Sequence, residues 1–223
     1  MDDSVRNMII ASIVLVLAAM YGGDTLGSWF QWKKEVDWKD GDTEEYTSEF
    51  YLEEIKVEYE FDAGGQTGYE DSDDNLKIDY DDNDCGDSGD CDELYDLMQG
   101  KIQNLLYVII LAGGAALYFI NEGDQEKAAL ASLAMGGAGL LVAGLFFLNF
   151  PEAFDDDTGA FDSDRDSFDE DPSIFGDDSL TTDYDSFYGD NVDVDRTWRP
   201  GFAFLLVLLS GIIGMAAYTE LKI

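Results

Sequence analysis

The chain has no histidine, two cysteines and three prolines, and its 12 basic residues face 49 acidic ones. Without histidine, Ser-His-Asp triads, Cys-His dyads and histidine-ligated zinc centres are excluded. Two cysteines cannot build a cysteine-only zinc site. Basic side chains are too few and too scattered to neutralise phosphates, so nucleic acid is excluded as a partner. No nucleophile–base pair or cofactor motif stands out, and the sequence reads as that of a non-enzymatic protein.

Charge is also missing from four long runs. Asn7–Gly23, Ile102–Asn121, Ala128–Pro151 and Pro200–Thr219 contain no Asp, Glu, Lys or Arg over 17, 20, 24 and 20 residues. About 20 apolar residues in a helix cross a hydrocarbon core of about 30 Å. The predicted fold is therefore an all-α four-helix transmembrane bundle with a small, acidic, β-containing extracellular domain. Its spans are 7–23, 102–121, 128–151 and 200–219. Acidic loops cover 24–101 and 152–199, a cytoplasmic turn covers 122–127, and a tail covers 220–223. The first run reads as a retained helix, because its leading MDDSVRN is acidic where a signal peptide is basic. Spans without ionisable groups also argue against membrane-embedded catalysis or proton coupling.

What is abundant is carboxylate, and it is segregated. The two loops hold 43 of the 49 acidic residues and −34 of the net −37. Basic residues are denser in the short connections, and a first loop of more than about 60 residues carries little weight in orientation. That places both termini inside and both acidic loops outside, in a multi-pass protein of the cell membrane. The lipid bilayer, other membrane or envelope proteins and further copies of the chain are the expected partners. Salt adaptation in a halophilic or marine prokaryote would by itself produce such acidic surfaces.

Within the spans, small residues recur at i and i+4: Ala18/Gly22, Ala112/Ala116, Ser132/Gly136, Gly139/Ala143 and Ser210/Gly214. Small side chains let helix backbones approach in lipid, where hydrophobicity gives helices no drive to associate. Trp29, Trp32 and Trp38 among Lys33, Lys34 and Lys39 suit a headgroup belt, as does Trp198 between Arg196 and Arg199. An aromatic cage for a ligand is the competing use of those rings.

Tyr46–Phe61 alternates apolar and polar residues, with a phase shift at Glu53–Glu54 that predicts a bulge or slight break. Leu76, Ile78 and Tyr80 offer a second strand after the glycine-containing stretch at Gly64, Gly65 and Gly68. Asp92–Lys101 reads as a short helical lead into the second span. In the second loop Phe154, Phe161, Phe168 and Phe175 fall seven residues apart. One apolar position per heptad cannot make a coiled-coil seam, so each unit is expected to be a carboxylate-bearing turn anchored by one ring.

Alternating carboxylates on a turning backbone suit Ca2+, which takes 6–8 oxygen ligands. Asp162, Asp164, Asp166, Asp169 and Asp171 form such an array, similar to the calcium loops of thrombospondin type 3 repeats. Asp81, Asn83 and Asp87 form a sparser one, with Gly86 where an EF-hand loop turns. The competing reading is a solvated acidic loop with diffuse counterions. Cys85 and Cys91 enclose GDSGD, and in an oxidising exterior they are expected to form a structural disulfide.

One span, a long first loop with an early tryptophan, β strands and a cysteine pair, then three more spans, resembles the claudin-type tetraspan arrangement. Trp29, the strands of Phe50–Tyr80 and Cys85/Cys91 carry the likeness. The resemblance covers the chain as topology. The expected function is a non-enzymatic four-span protein with a calcium-engaging acidic ectodomain, acting in adhesion, envelope organisation or as an accessory subunit. The alternative is a channel or transport component whose acidic vestibule concentrates cations.

Overall fold

The uncharged runs fold as helices. A computed structural model describes residues 3–22, 27–38, 41–63, 72–80, 91–158, 173–184 and 190–222. Among them four helices are long and apolar enough to cross a membrane: α1 Asp3–Tyr21, α2 Asp92–Glu122, α3 Gln125–Thr158 and α4 Phe202–Lys222. The chain divides into two units. One gathers Met1–Trp29, Tyr95–Phe150 and Gly201–Ile223, and the other gathers Phe30–Leu94 and Pro151–Pro200.

In the helical unit, apolar side chains such as Val14, Leu111, Leu148 and Ile212 point outward, as a lipid-facing surface requires. The inward contacts use small and polar groups. The Ser12 hydroxyl donates to the Ser210 carbonyl at 3.1 Å, and the two hydroxyl oxygens lie 2.7 Å apart, tying α1 to α4. Gly136 and Gly139 of α3 meet Gly214 and Gly211 of α4 backbone to backbone. A Cβ on Gly136 would lie 2.5 Å from the Met215 nitrogen, and one on Gly139 2.7 Å from the Gly211 Cα. The small-residue rows expected at Ser132/Gly136, Gly139/Ala143 and Ser210/Gly214 thus each contribute a residue to these close contacts.

The turn between α2 and α3 follows from two residues. Gly123 takes the left-handed conformation (φ 79°). Its N–H and that of Asp124 close back on the Ile120 and Phe119 carbonyls, at 3.2 and 3.0 Å. The Asp124 carboxylate then accepts the Lys127 N–H at 3.1 Å and caps α3. The expected helical lead at Asp92–Lys101 is present but differs in winding. Asp92–Tyr95 is α-helical, Asp96–Gln103 is π-helical and Asn104–Glu122 is α-helical. The Asn104 side-chain amide donates to the Gly100 carbonyl at 2.7 Å in that widened stretch.

The other unit is built on one antiparallel six-stranded sheet, in the order β4-β3-β2-β1-β6-β5. Its strands are β1 Phe30–Trp38, β2 Thr43–Phe50, β3 Glu54–Asp62, β4 Ser72–Asp79, β5 Gly176–Tyr184 and β6 Asp190–Pro200. The phase shift at Glu53–Glu54 is a hairpin rather than a bulge. Phe50 pairs with Ile55, and the Tyr51 N–H donates to the Glu54 carbonyl at 2.9 Å. Folding back puts Phe50 and Ile55 on one face, which is why the alternation changes phase there.

The second loop departs further from expectation. Phe154, head of the first heptad unit, lies in the last turns of α3 rather than in a carboxylate turn. Its ring meets those of Phe30 and Phe50, with centroids at 5.5 and 5.0 Å. Phe175 is exposed just before β5, so the heptad phenylalanines do not share one environment. Val192, Val194 and Trp198 bring β6 against β1, so both loops supply strands to the same sheet.

Candidate binding cavity on the sheet

Pairing register sorts the sheet side chains into two opposed sets. Phe30, Trp32, Lys34, Val36 and Trp38 of β1 share a face with Tyr46, Ser48 and Phe50 of β2, and with Val192, Val194, Arg196 and Trp198 of β6. Gln31, Lys33, Glu35 and Asp37 share the other face with Glu45, Glu49, Asp193, Asp195 and Arg199. The first face is aromatic and the second is predominantly acidic. Such alternation is how an antiparallel sheet separates a packed side from a solvated one.

On the acidic face carboxylates stand directly opposite one another. Asp195 pairs with Glu35, Glu35 with Glu45 and Glu45 with Glu60, a row crossing four strands. Like charges in register destabilise a sheet unless counterions screen them. Lys33 lies against this row, 2.7 Å from Glu45 and 3.5 Å from Glu35. The Glu45 carboxylate is the main reason the Lys33 ammonium holds its proton above the usual lysine range.

The aromatic face is dry at one end. Phe30, Phe50, Ile55 and Phe154 are buried there. The Tyr80 phenol is buried as well and donates to the Tyr51 carbonyl at 2.8 Å. Burial pushes its ionisation well above the ordinary phenol value. Beside this core, Asp157 accepts the N–H groups of Glu93 and Leu94 at 3.3 and 2.8 Å, satisfying orphan donors of the first turn of α2.

Toward the other end the face opens into a cavity of about 360 Å³, lined chiefly by Trp32, Lys34, Trp38, Glu44, Tyr46 and Ser48, with Val36, Val57, Val192 and Val194. The Trp32 ring is held edge-on to Phe154 at 6.3 Å, and Tyr46 stacks obliquely on Tyr59 at 4.7 Å. The Tyr46 hydroxyl donates to Glu44 Oε2 at 3.2 Å. Burial, then the Glu44 charge, raises the Tyr46 phenol, so it stays a neutral donor. The Trp32 indole N–H is buried, with no hydrogen-bond acceptor among the described residues. Nearby, Arg196 is buried in an ion pair with Asp178 at 3.5 Å.

The expected headgroup belt is therefore divided. Trp29 is buried in the helical unit against Phe146, at 5.5 Å, whereas Trp32 and Trp38 line the cavity. Trp198 is buried on the sheet, its indole N–H 3.3 Å from the Ser173 hydroxyl. The expected calcium ligands Asp162, Asp164, Asp166, Asp169 and Asp171, and likewise Asp81, Asn83 and Asp87, lie outside the described residues. Among the described residues no acidic cluster is arranged to hold a metal ion. Cys91 is buried and is not a free thiol, while Cys85 lies outside the described residues.

Two of the strands that line the cavity were within reach of sequence reasoning. Trp32, Lys34, Val36 and Trp38 alternate strictly, as do Val192, Val194, Arg196 and Trp198, and both are strand signals. Lysines beside tryptophans drew the first toward a membrane belt, and the surrounding aspartates hid the second. No protein-family model matches the chain, and no curated protein matches it in sequence.

Proposed function

We propose that the protein is a non-enzymatic, four-span membrane protein whose acidic sheet unit faces the cell exterior and engages cations and partner proteins. In this reading it serves adhesion or envelope organisation, or is an accessory subunit of a membrane complex. The observation that carries it is the two-faced sheet, with one side a carboxylate array and the other an aromatic surface opening into a cavity. The four long apolar helices support an anchoring role. A carboxylate array suits binding through cations, because a shared counterion relieves repulsion on both partners. Calcium at Asp162, Asp164, Asp166, Asp169 and Asp171, and a Cys85–Cys91 bridge beneath the first loop, belong to the same proposal. Salt adaptation of the acidic surface is compatible with it.

Gentle solubilisation, affinity capture of the full chain and mass spectrometry of what accompanies it, with and without calcium, tests the reading. Recovery of defined membrane or envelope proteins, lost when calcium is chelated, is the expected result. A chain that purifies alone under every ionic condition contradicts it.

A further inference from the structure

We infer that the cavity formed by Trp32, Trp38 and Tyr46 is a binding site for a neutral pyranose sugar unit, free or as part of a glycan. The inference deepens the proposed function by naming a ligand class for the sheet unit, and rests on that unit facing solvent. At about 360 Å³, the cavity falls within the range of small-ligand sites. Its lining combines three aromatic residues with polar groups. A pyranose has the matching construction, with C–H groups on its ring faces and hydroxyls around its edge.

The polar lining argues for a ligand that both donates and accepts. Trp32 contributes a buried indole N–H with no acceptor among the described residues, a group that ordinarily finds a partner when buried. Lys34 is a donor, Ser48 is both donor and acceptor, and Glu44 retains lone pairs beyond the one taken by Tyr46. Charge decides against two competitors. An organic cation would suit the aromatic rings and Glu44, but Lys34 stands in the same lining and repels it. An anion would suit Lys34, but it must meet Glu44 in an acidic segment of the chain. Among the described lining residues Lys34 and Glu44 are the charged pair and balance each other, and a neutral polyhydroxylated ring needs no uncompensated charge.

The test uses the full chain in nanodiscs of phosphatidylethanolamine and phosphatidylglycerol, because sugar-headed detergents would compete. Saturation-transfer difference NMR is recorded with glucose, galactose, mannose and N-acetylglucosamine, and with glycine betaine and glucuronate as charged comparators. At least one neutral sugar is expected to bind in the millimolar range, with transfer concentrated on its ring C–H protons. Trp38→Ala should abolish the signal. Trp32→Phe, which keeps a ring and removes the N–H, should weaken it about tenfold. Near-ultraviolet circular dichroism confirms that each variant is folded, and Ser48→Ala replaces any that is not, with a smaller expected loss. No neutral sugar binding, binding indifferent to these substitutions, or stronger binding of betaine or glucuronate would overturn the inference. If partners still co-purify in that case, the sugar site alone fails and the broader proposal stands.

Discussion

The two faces of the sheet are separated by one residue of register and obey different physics. On the aromatic face Phe30, Phe50, Val192 and Trp198 are buried, and stability comes from area removed from water and from close packing. On the acidic face Glu35, Glu45, Glu60 and Asp195 meet across strands, and each pairing opposes folding until ions screen it. The sheet is therefore held together from one side against repulsion from the other. Solvent conditions should act mainly through the acidic side, and side-chain volume mainly through the aromatic side.

Removing packing should break the comparison most severely. Phe50→Ala deletes a buried ring in contact with Phe30 and Phe154, at 5.8 and 5.0 Å, and should cost about 3–5 kcal/mol. Chemical denaturation of the full chain, followed by tryptophan fluorescence, measures it. Adding volume should cost less. A Cβ on Gly176 would fall 2.1 Å from the Trp198 ring, so Gly176→Ala should destabilise the β5–β6 edge by about 1–3 kcal/mol. Faster hydrogen exchange in Gly176–Tyr184 than in Thr43–Phe50 is the expected signature.

Tyr80→Phe removes the hydrogen bond to the Tyr51 carbonyl and leaves that carbonyl buried, at about 1 kcal/mol near neutral pH. It also bears on pH dependence. The Tyr80 phenol is raised above its unfolded value, so the folded state binds its proton more tightly. That contribution is fully present below pH of about 10 and is lost as pH rises beyond it. The substituted protein should therefore lose less stability under alkali than the parent, as thermal melts across that range would show.

The smallest effect has the opposite sign. Glu60→Gln relieves the repulsion with Glu45 while leaving Lys33 its ion pair with Glu45. It should stabilise by a few tenths of a kcal/mol at low ionic strength, and the gain should vanish near 1 M salt, where the Debye length is about 3 Å. Melting temperatures of parent and variant across a salt series check this.

How much of this was legible in the sequence depended on which signal dominated. The helical unit was readable because few structures besides a membrane span keep charge out of about 20 consecutive residues. Asn7–Gly23 and Ala128–Pro151 differ from α1 and α3 mainly at their ends, where Asp3–Arg6 and Gln125–Lys127 continue the helices despite their charges. The uncharged span ended at Pro151, but α3 runs through that residue and continues to Thr158. A proline forfeits its own N–H bond but does not end a helix whose next turn is packed, and Phe154 supplies that packing. Strands β2, β3 and β4 of the first loop were recognised by their alternation, but not β1, whose tryptophans and lysines pointed to a membrane belt, nor the reversal at Tyr51–Glu53, which lacks glycine or proline as a turn marker. Strands β5 and β6 went unread because aspartate has a poor strand propensity. What overrides it is the non-local pairing of Val192, Val194 and Trp198 with β1. For the same reason the cavity, whose lining comes from separate strands, could not be assembled from any one stretch of sequence.

The opposition of the two faces is tested most directly by residue-resolved labelling of the full chain in nanodiscs. Carbodiimide coupling of an amine reports accessible carboxylates, and hydroxyl-radical oxidation reports accessible rings, both read by mass spectrometry. Glu35 and Glu60 should label readily, whereas Asp157, Phe50 and Trp198 should be protected until the protein is unfolded. Protection of Glu35 and Glu60 together with rapid oxidation of Phe50 and Trp198 would mean that the register is shifted or the faces are reversed, and would contradict the account.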